Sequence, residues 1–132
     1  MKKTKVLSIL LSVIMAFGVF GTAFSASAAY VSVHLLTNQN TNSSSNVYGT
    51  HKYYWGNNNA NSDDNVEFVT RYKKGGVWYT DDKYVMIPGD SLNESQARRT
   101  ANRFTDERYW FLKLNKASSG TGCDAWGYIK NA

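Results

Sequence analysis

The side chains able to do chemistry are few and scattered. His34 and His51 are the two histidines of the chain, and Cys123 is its one cysteine. A structural zinc takes about four Cys or His ligands and a catalytic zinc about three protein ligands. These three residues meet that requirement only if the fold converges them. Cys123 follows Gly120-Thr121-Gly122, and Asp124 beside it disfavours the thiolate electrostatically. No base stands at a defined spacing to activate it as a nucleophile. It reads as a small buried residue, with a free thiol or the link of a disulfide dimer as alternatives.

Carboxylates are more numerous. Glu67, Asp81, Asp82, Asp90, Glu94, Asp106 and Glu107 are candidates for acid–base work. A glycosidase needs two carboxyls roughly 5 to 10 Å apart, one with a raised pKa. These acids instead sit beside turn residues or basic neighbours, which suits solvated surface. The stretch from Gly56 to Asn65 is rich in Asn and Asp, whose oxygens suit calcium. Its two acids, Asp63 and Asp64, are adjacent rather than alternating as a calcium loop requires. No catalytic residue, metal ligand or cofactor is assigned, and a non-enzymatic protein is expected.

Binding chemistry is better represented. Arg98, Arg99, Arg103 and Arg108 cluster around Asp106 and Glu107. Guanidinium forks clamp carboxylates and phosphates in pairs, although a solvated, salt-bridged face has the same composition. Four Trp and nine Tyr exceed what a core of this size requires. Some of these rings must lie near the surface, where they suit sugar faces, lipid interfaces or protein partners. The candidate binding residues are Tyr53, Trp55, Trp78, Arg98, Arg99 and Arg103, and the partners they imply are a cell-wall polymer, a polysaccharide or a membrane surface.

The chain opens as an export signal. Lys2, Lys3 and Lys5 precede an apolar run from Val6 to Phe20, and small residues follow from Gly21 to Ala29. A charged start, an apolar middle and a small-residue exit are the three parts of a secretory signal. Ala26-Ser27-Ala28 and Ser27-Ala28-Ala29 both fit the peptidase, so residues 1–29 are read as the signal and 30–132 as one secreted, extracellular domain. Removing Lys2, Lys3 and Lys5 lowers the basic residues from 15 to 12 against 10 acidic ones, so the net charge falls from +5 to +2. A nucleic-acid partner is therefore not expected. With one cysteine the exported part has no internal disulfide framework, and its core must hold it.

The mature part is poor in Leu and rich in aromatic and β-branched residues, which favours strands over helices. Thirteen asparagines punctuate it at turns. Tyr30 to Leu36 alternates Val31, Val33 and Leu35 against Ser32 and His34, a period-two strand. Thr37 to Asn46 reads as a polar loop and Val47 to Trp55 as a second strand. Val66 to Tyr72, Val77 to Thr80 and Lys83 to Ile87 read as a meander turning at Gly75-Gly76 and at Asp81-Asp82. Residues 90–103 are ambiguous, with Ser91 and Glu94 at capping-box spacing. Tyr109 to Leu114 alternates Trp110, Leu112 and Leu114 against Tyr109, Phe111 and Lys113, and Cys123 to Ile129 closes the domain with Trp126 and Tyr128 on one face. The expectation is an all-β fold: a small antiparallel β-sandwich of six or seven strands.

Over this aromatic- and Asn-rich body and its closing Ala125-Trp126-Gly127-Tyr128, the chain resembles small exported proteins of Gram-positive bacteria whose function is uncharacterised. It is also similar to the small β-sandwich bacteriocins of the lactococcin 972 type. The first likeness brings no known active site. The second implies a secreted antimicrobial protein, which stands as the alternative to a non-catalytic protein that interacts with the cell envelope or extracellular matrix.

Overall fold

In the computed structural model, which describes residues 30–131, period-two alternation becomes two packed antiparallel sheets. The export signal read at residues 1–29 lies outside the described residues. The strands in chain order are β1 (Tyr30–Leu35), β2 (Thr41–Ser43), β3 (Val47–Gly49), β4 (Lys52–Asn58), β5 (Val66–Lys74), β6 (Val77–Met86), β7 (Ser91–Leu92), β8 (Arg98–Arg99), β9 (Arg108–Lys116) and β10 (Ala125–Asn131). Sheet 1 runs β1-β10-β4-β7, with β8 also on β4; sheet 2 runs β2-β9-β5-β6, with β3 also on β9. The all-β sandwich expected from composition is the fold.

The inner faces carry the alternating apolar residues. Val33 and Leu35 of β1, Tyr54 of β4, Val66 and Phe68 of β5, Trp110, Leu112 and Leu114 of β9, and Ala125 and Ile129 of β10 meet in one core. Each fully buried large side chain contributes about 1.5–3 kcal/mol relative to exposure. The core therefore needs no disulfide.

Ten strands replace the six or seven expected, because short pairings escape a periodicity reading. Inside the polar stretch 37–46, β2 pairs with the exposed flank of β9. The run Val47 to Trp55 is not one strand. It breaks at Thr50-His51, so β3 joins sheet 2 and β4 joins sheet 1. The Trp110 indole donates to the Gly49 carbonyl at 2.9 Å and anchors this crossover. A strand that changes sheets at a corner lets one β-rich run serve both layers.

The meander is a two-stranded hairpin. Gly75 and Gly76, at φ +57° and +77°, form the turn between β5 and β6, the positive-φ pair that a tight hairpin requires. Asp81-Asp82 is no turn. Thr70 pairs with Asp82 and Arg71 with Thr80, leaving Asp81 as the extra residue of a β-bulge. The bulge aims the Asp81 carboxylate at the following loop, where it accepts from the Ala101 and Asn102 amides at 2.8 and 2.7 Å. Residues 90–103 resolve into β7, one 3-10 turn at Glu94–Gln96, and β8. The capping box is formed by Asn93 and Gln96 rather than Ser91 and Glu94, since Ser91 is already paired with Asn57 of β4.

Candidate functional site

The outer face of sheet 1 is built from the residues that alternate with the core. It takes Tyr30 and His34 from β1, Trp126, Tyr128 and Lys130 from β10, and Tyr53, Trp55 and Asn57 from β4. The register sets His34 against Trp126, Tyr128 against Trp55, and Lys130 against both Tyr30 and Tyr53. Cross-strand neighbours on one face lie close enough for aromatic contact.

A near-parallel row of rings results. His34 stacks on Trp126 at 4.0 Å and 13°. Trp126 and Tyr128 lie 6.4 Å apart at 14°, and Tyr128 stacks on Trp55 at 5.4 Å and 16°. Tyr30, 54% exposed, closes the row edge-on, 5.8 Å from Trp55 and 5.6 Å from Tyr128. Each offset or edge pair adds about 0.5–1.5 kcal/mol beyond burial. The row is therefore a stiff surface.

Beside it runs an open groove of about 320 Å³. Tyr30, Trp55 and Tyr128 form its aromatic wall, while Asn57, Asn93 and Glu94 supply polar groups. The Lys130 ammonium pairs with Glu94 at 2.6 Å and sits 5.6 Å above the Trp55 ring. Rings on one side with amides and a charge pair on the other suit a ligand carrying both C–H faces and hydroxyls.

At the far end of the row His34 Nε2 meets Asp124 Oδ1 at 2.6 Å, and the Asn59 amide donates to Asp124 Oδ2 at 2.7 Å. The His34 hydrogen bond, and after it that of Asn59, holds the Asp124 carboxyl below the usual carboxylate range. The pair fixes the His34 ring against Trp126.

The six residues singled out from sequence are dispersed. Trp55 lines the groove but is only 7% exposed, beneath Tyr30, Tyr128 and Lys130. Tyr53 shares its face and meets the His51 ring edge-on at 5.7 Å. Arg99 pairs with Tyr53 across β4 and β8. Burial, and then the charges of Arg103, Arg99 and Lys52, lower the His51 pKa, so Arg99 and Arg103 add positive charge around His51. Trp78 is on the opposite sheet, edge-on to Phe111 at 4.7 Å. Arg98 is half-exposed and held against the fold: its Nε donates to the Tyr54 hydroxyl at 3.1 Å, and its guanidinium lies 4.4 Å above the Tyr84 ring and 3.5 Å from Asp82. Two of its five N–H donors are engaged within the fold.

Sequence reasoning missed Tyr30, Asn57, Asn93, Glu94 and Tyr128 as groove residues. Alternation along β10 places Trp126, Tyr128 and Lys130 together, but their partners on β1 and β4 are set by strand order.

The remaining candidates have structural surroundings. Cys123 is fully buried, with its sulfur 3.4 Å from the Asp64 carbonyl, and burial pushes its thiol pKa up. A link to a second chain would need this loop to open. In the Asn/Asp loop, Asp63 pairs with Lys116 at 3.0 Å and Asp64 accepts from the Ser118 amide at 3.0 Å. Among the described residues no group of three or more His, Cys, Asp or Glu side chains is placed to hold a metal ion.

Among the described residues, fold and face together define an antiparallel β-sandwich of ten strands with an aromatic row and groove on one outer surface. Comparison with protein-family models, with curated proteins and with solved structures returns no match to this chain.

Proposed function

We propose that this chain is an exported, non-catalytic protein that binds a glycan of the cell envelope or extracellular matrix along the outer face of sheet 1. The observation that carries this reading is the groove, with Tyr30, Trp55 and Tyr128 on one side and Asn57, Asn93 and Glu94 on the other. Sugar rings present flat C–H faces to aromatic side chains and hydroxyls to amides and carboxylates, and this wall-and-lip arrangement offers both. Arg99, paired with Tyr53 across β4 and β8, adds a positive charge to the same sheet for an anionic polymer. The signal-like start supports export.

Co-sedimentation of the purified protein with insoluble peptidoglycan, with neutral and anionic polysaccharides, and with anionic lipid vesicles tests the reading. The expected result is retention on a glycan that is weakened in Trp55→Ala and Tyr128→Ala. Retention on vesicles alone, or on none of the three, would refute it.

A further inference from the structure

At the end of the sandwich away from Asp124, Lys52 and Asn131 are direct cross-strand partners on β4 and β10, the strands that form the centre of sheet 1. Lys52 opens β4 on its buried face, and Asn131 meets it from the exposed end of β10. Lys52 is fully buried, an unusual state for a lysine. Its ammonium nitrogen contacts the Asn131 side-chain oxygen and donates to the Tyr48 carbonyl at 2.5 Å. The acid of the neighbourhood is Glu107, which lines the same small cavity as Lys52 and Asn131 and whose charge acts on the amine. Gly49 makes the space: a β-carbon there would run into Lys52 Nζ and lie 3.3 Å from Asn131 Oδ1.

A buried amine held against a carboxamide, with the exposed Glu107 carboxylate lining the same cavity, is the constellation for amide exchange. We propose that Lys52 and Asn131 join in an intramolecular isopeptide bond, with Glu107 as the proton carrier. The neutral Lys52 amine adds to the Asn131 side-chain carbon, forming Nζ–Cγ. Glu107 takes the proton released by the attacking nitrogen and delivers it to Nδ2. The Cγ–Nδ2 bond then breaks and ammonia leaves. Atoms and charge balance without oxidant, metal or cofactor.

Two further observations agree. Burial lowers the Lys52 pKa to about 8 although Glu107 opposes the shift, so a usable share of the amine is neutral near neutral pH, as a nucleophile requires. The chain has one cysteine, which is buried. A lysine–asparagine cross-link would tie β10 to β4 where no disulfide can, constraining the unfolded chain as a disulfide does.

The test is mass spectrometry on the full chain, expressed and purified in its native state, then denatured and digested. The expected product is a branched peptide joining the segments that hold residues 52 and 131, lighter than its two parts by one ammonia. Glu107→Gln and Lys52→Arg should each restore the two separate peptides. Glu107 is exposed, so its variant should keep the native circular dichroism even if Lys52→Arg misfolds. Two unlinked peptides from natively folded wild-type protein would overturn the proposal. An ammonia loss that fragmentation places within a single asparagine peptide would do the same.

Discussion

Gly56 of β4 and Gly127 of β10 face each other across the centre of sheet 1, and the opposite sheet fills the space their side chains would occupy. A β-carbon at Gly127 would lie 2.8 Å from Leu112 Cδ2, and one at Gly56 would lie 2.6 Å from Phe68 Cε2 and run into the Trp126 carbonyl. The close approach of the two layers depends on this pair. Gly56→Ala should destabilise the fold by about 1–3 kcal/mol through overpacking, read as a lower urea midpoint at unchanged slope. A midpoint equal to wild type would show that the layers can separate freely.

The Tyr54 hydroxyl donates to Asp82 at 2.6 Å and accepts from Arg98 at 3.1 Å. It bridges β4, the bulged strand β6 and the short strand β8 from a fully buried ring. Removing it leaves two charged partners short of a hydrogen bond. Tyr54→Phe is expected to cost about 1–3 kcal/mol, with faster amide exchange in β8 than in β9. Equal protection of both strands in the variant would contradict this linkage.

Acid sensitivity follows from His51. Burial, and then the charges of Arg103, Arg99 and Lys52, hold its folded pKa below the ordinary value of 6.5. The unfolded chain then binds this proton more tightly than the folded one, so stability falls as pH drops through the unfolded value and is unaffected by this group well above it. His51→Gln should flatten the fall of the urea midpoint between about pH 7 and 5. An unchanged pH profile would mean that the folded and unfolded pKa values coincide.

The two outer faces are expected to differ in binding. Trp55→Ala or Tyr128→Ala should weaken glycan retention about tenfold, the equivalent of about 1.4 kcal/mol. Trp78→Ala, on the opposite sheet, should leave it unchanged. Arg99→Ala and Arg103→Ala should reduce only the salt-dependent part of binding to an anionic glycan. Loss of retention in Trp78→Ala alone would move the site to sheet 2.

Cys123 is buried, and burial pushes its thiol pKa up. Thiol reagents should therefore label it only when the protein is unfolded in denaturant. Rapid labelling of the native protein, followed by mass spectrometry, would place the thiol at the surface.

Much of the fold was legible in the residues. The alternation of Trp110, Leu112 and Leu114 against Tyr109, Phe111 and Lys113 marked β9 and its buried face, and Gly75-Gly76 marked the hairpin turn. Short pairings such as β2 and β8 carry too few residues for any period. Asp81-Asp82 looked like a turn because local chemistry does not distinguish a turn from a bulge. Only Thr70 and Arg71 on the neighbouring strand make that choice.

By itself the sequence determined an all-β sandwich, the inward faces of its long strands and the surplus of rings beyond the core, because side-chain alternation is a local property of extended chain. Tertiary structure alone decided which strands became neighbours. Strand order therefore set Tyr128 against Trp55, sent Trp78 to the far side, tied Arg98 to Tyr54, and brought Lys52 to Asn131, residues 79 positions apart in the chain. Pairing of that kind is fixed by the closure of two sheets over one core, a property no local stretch of residues carries.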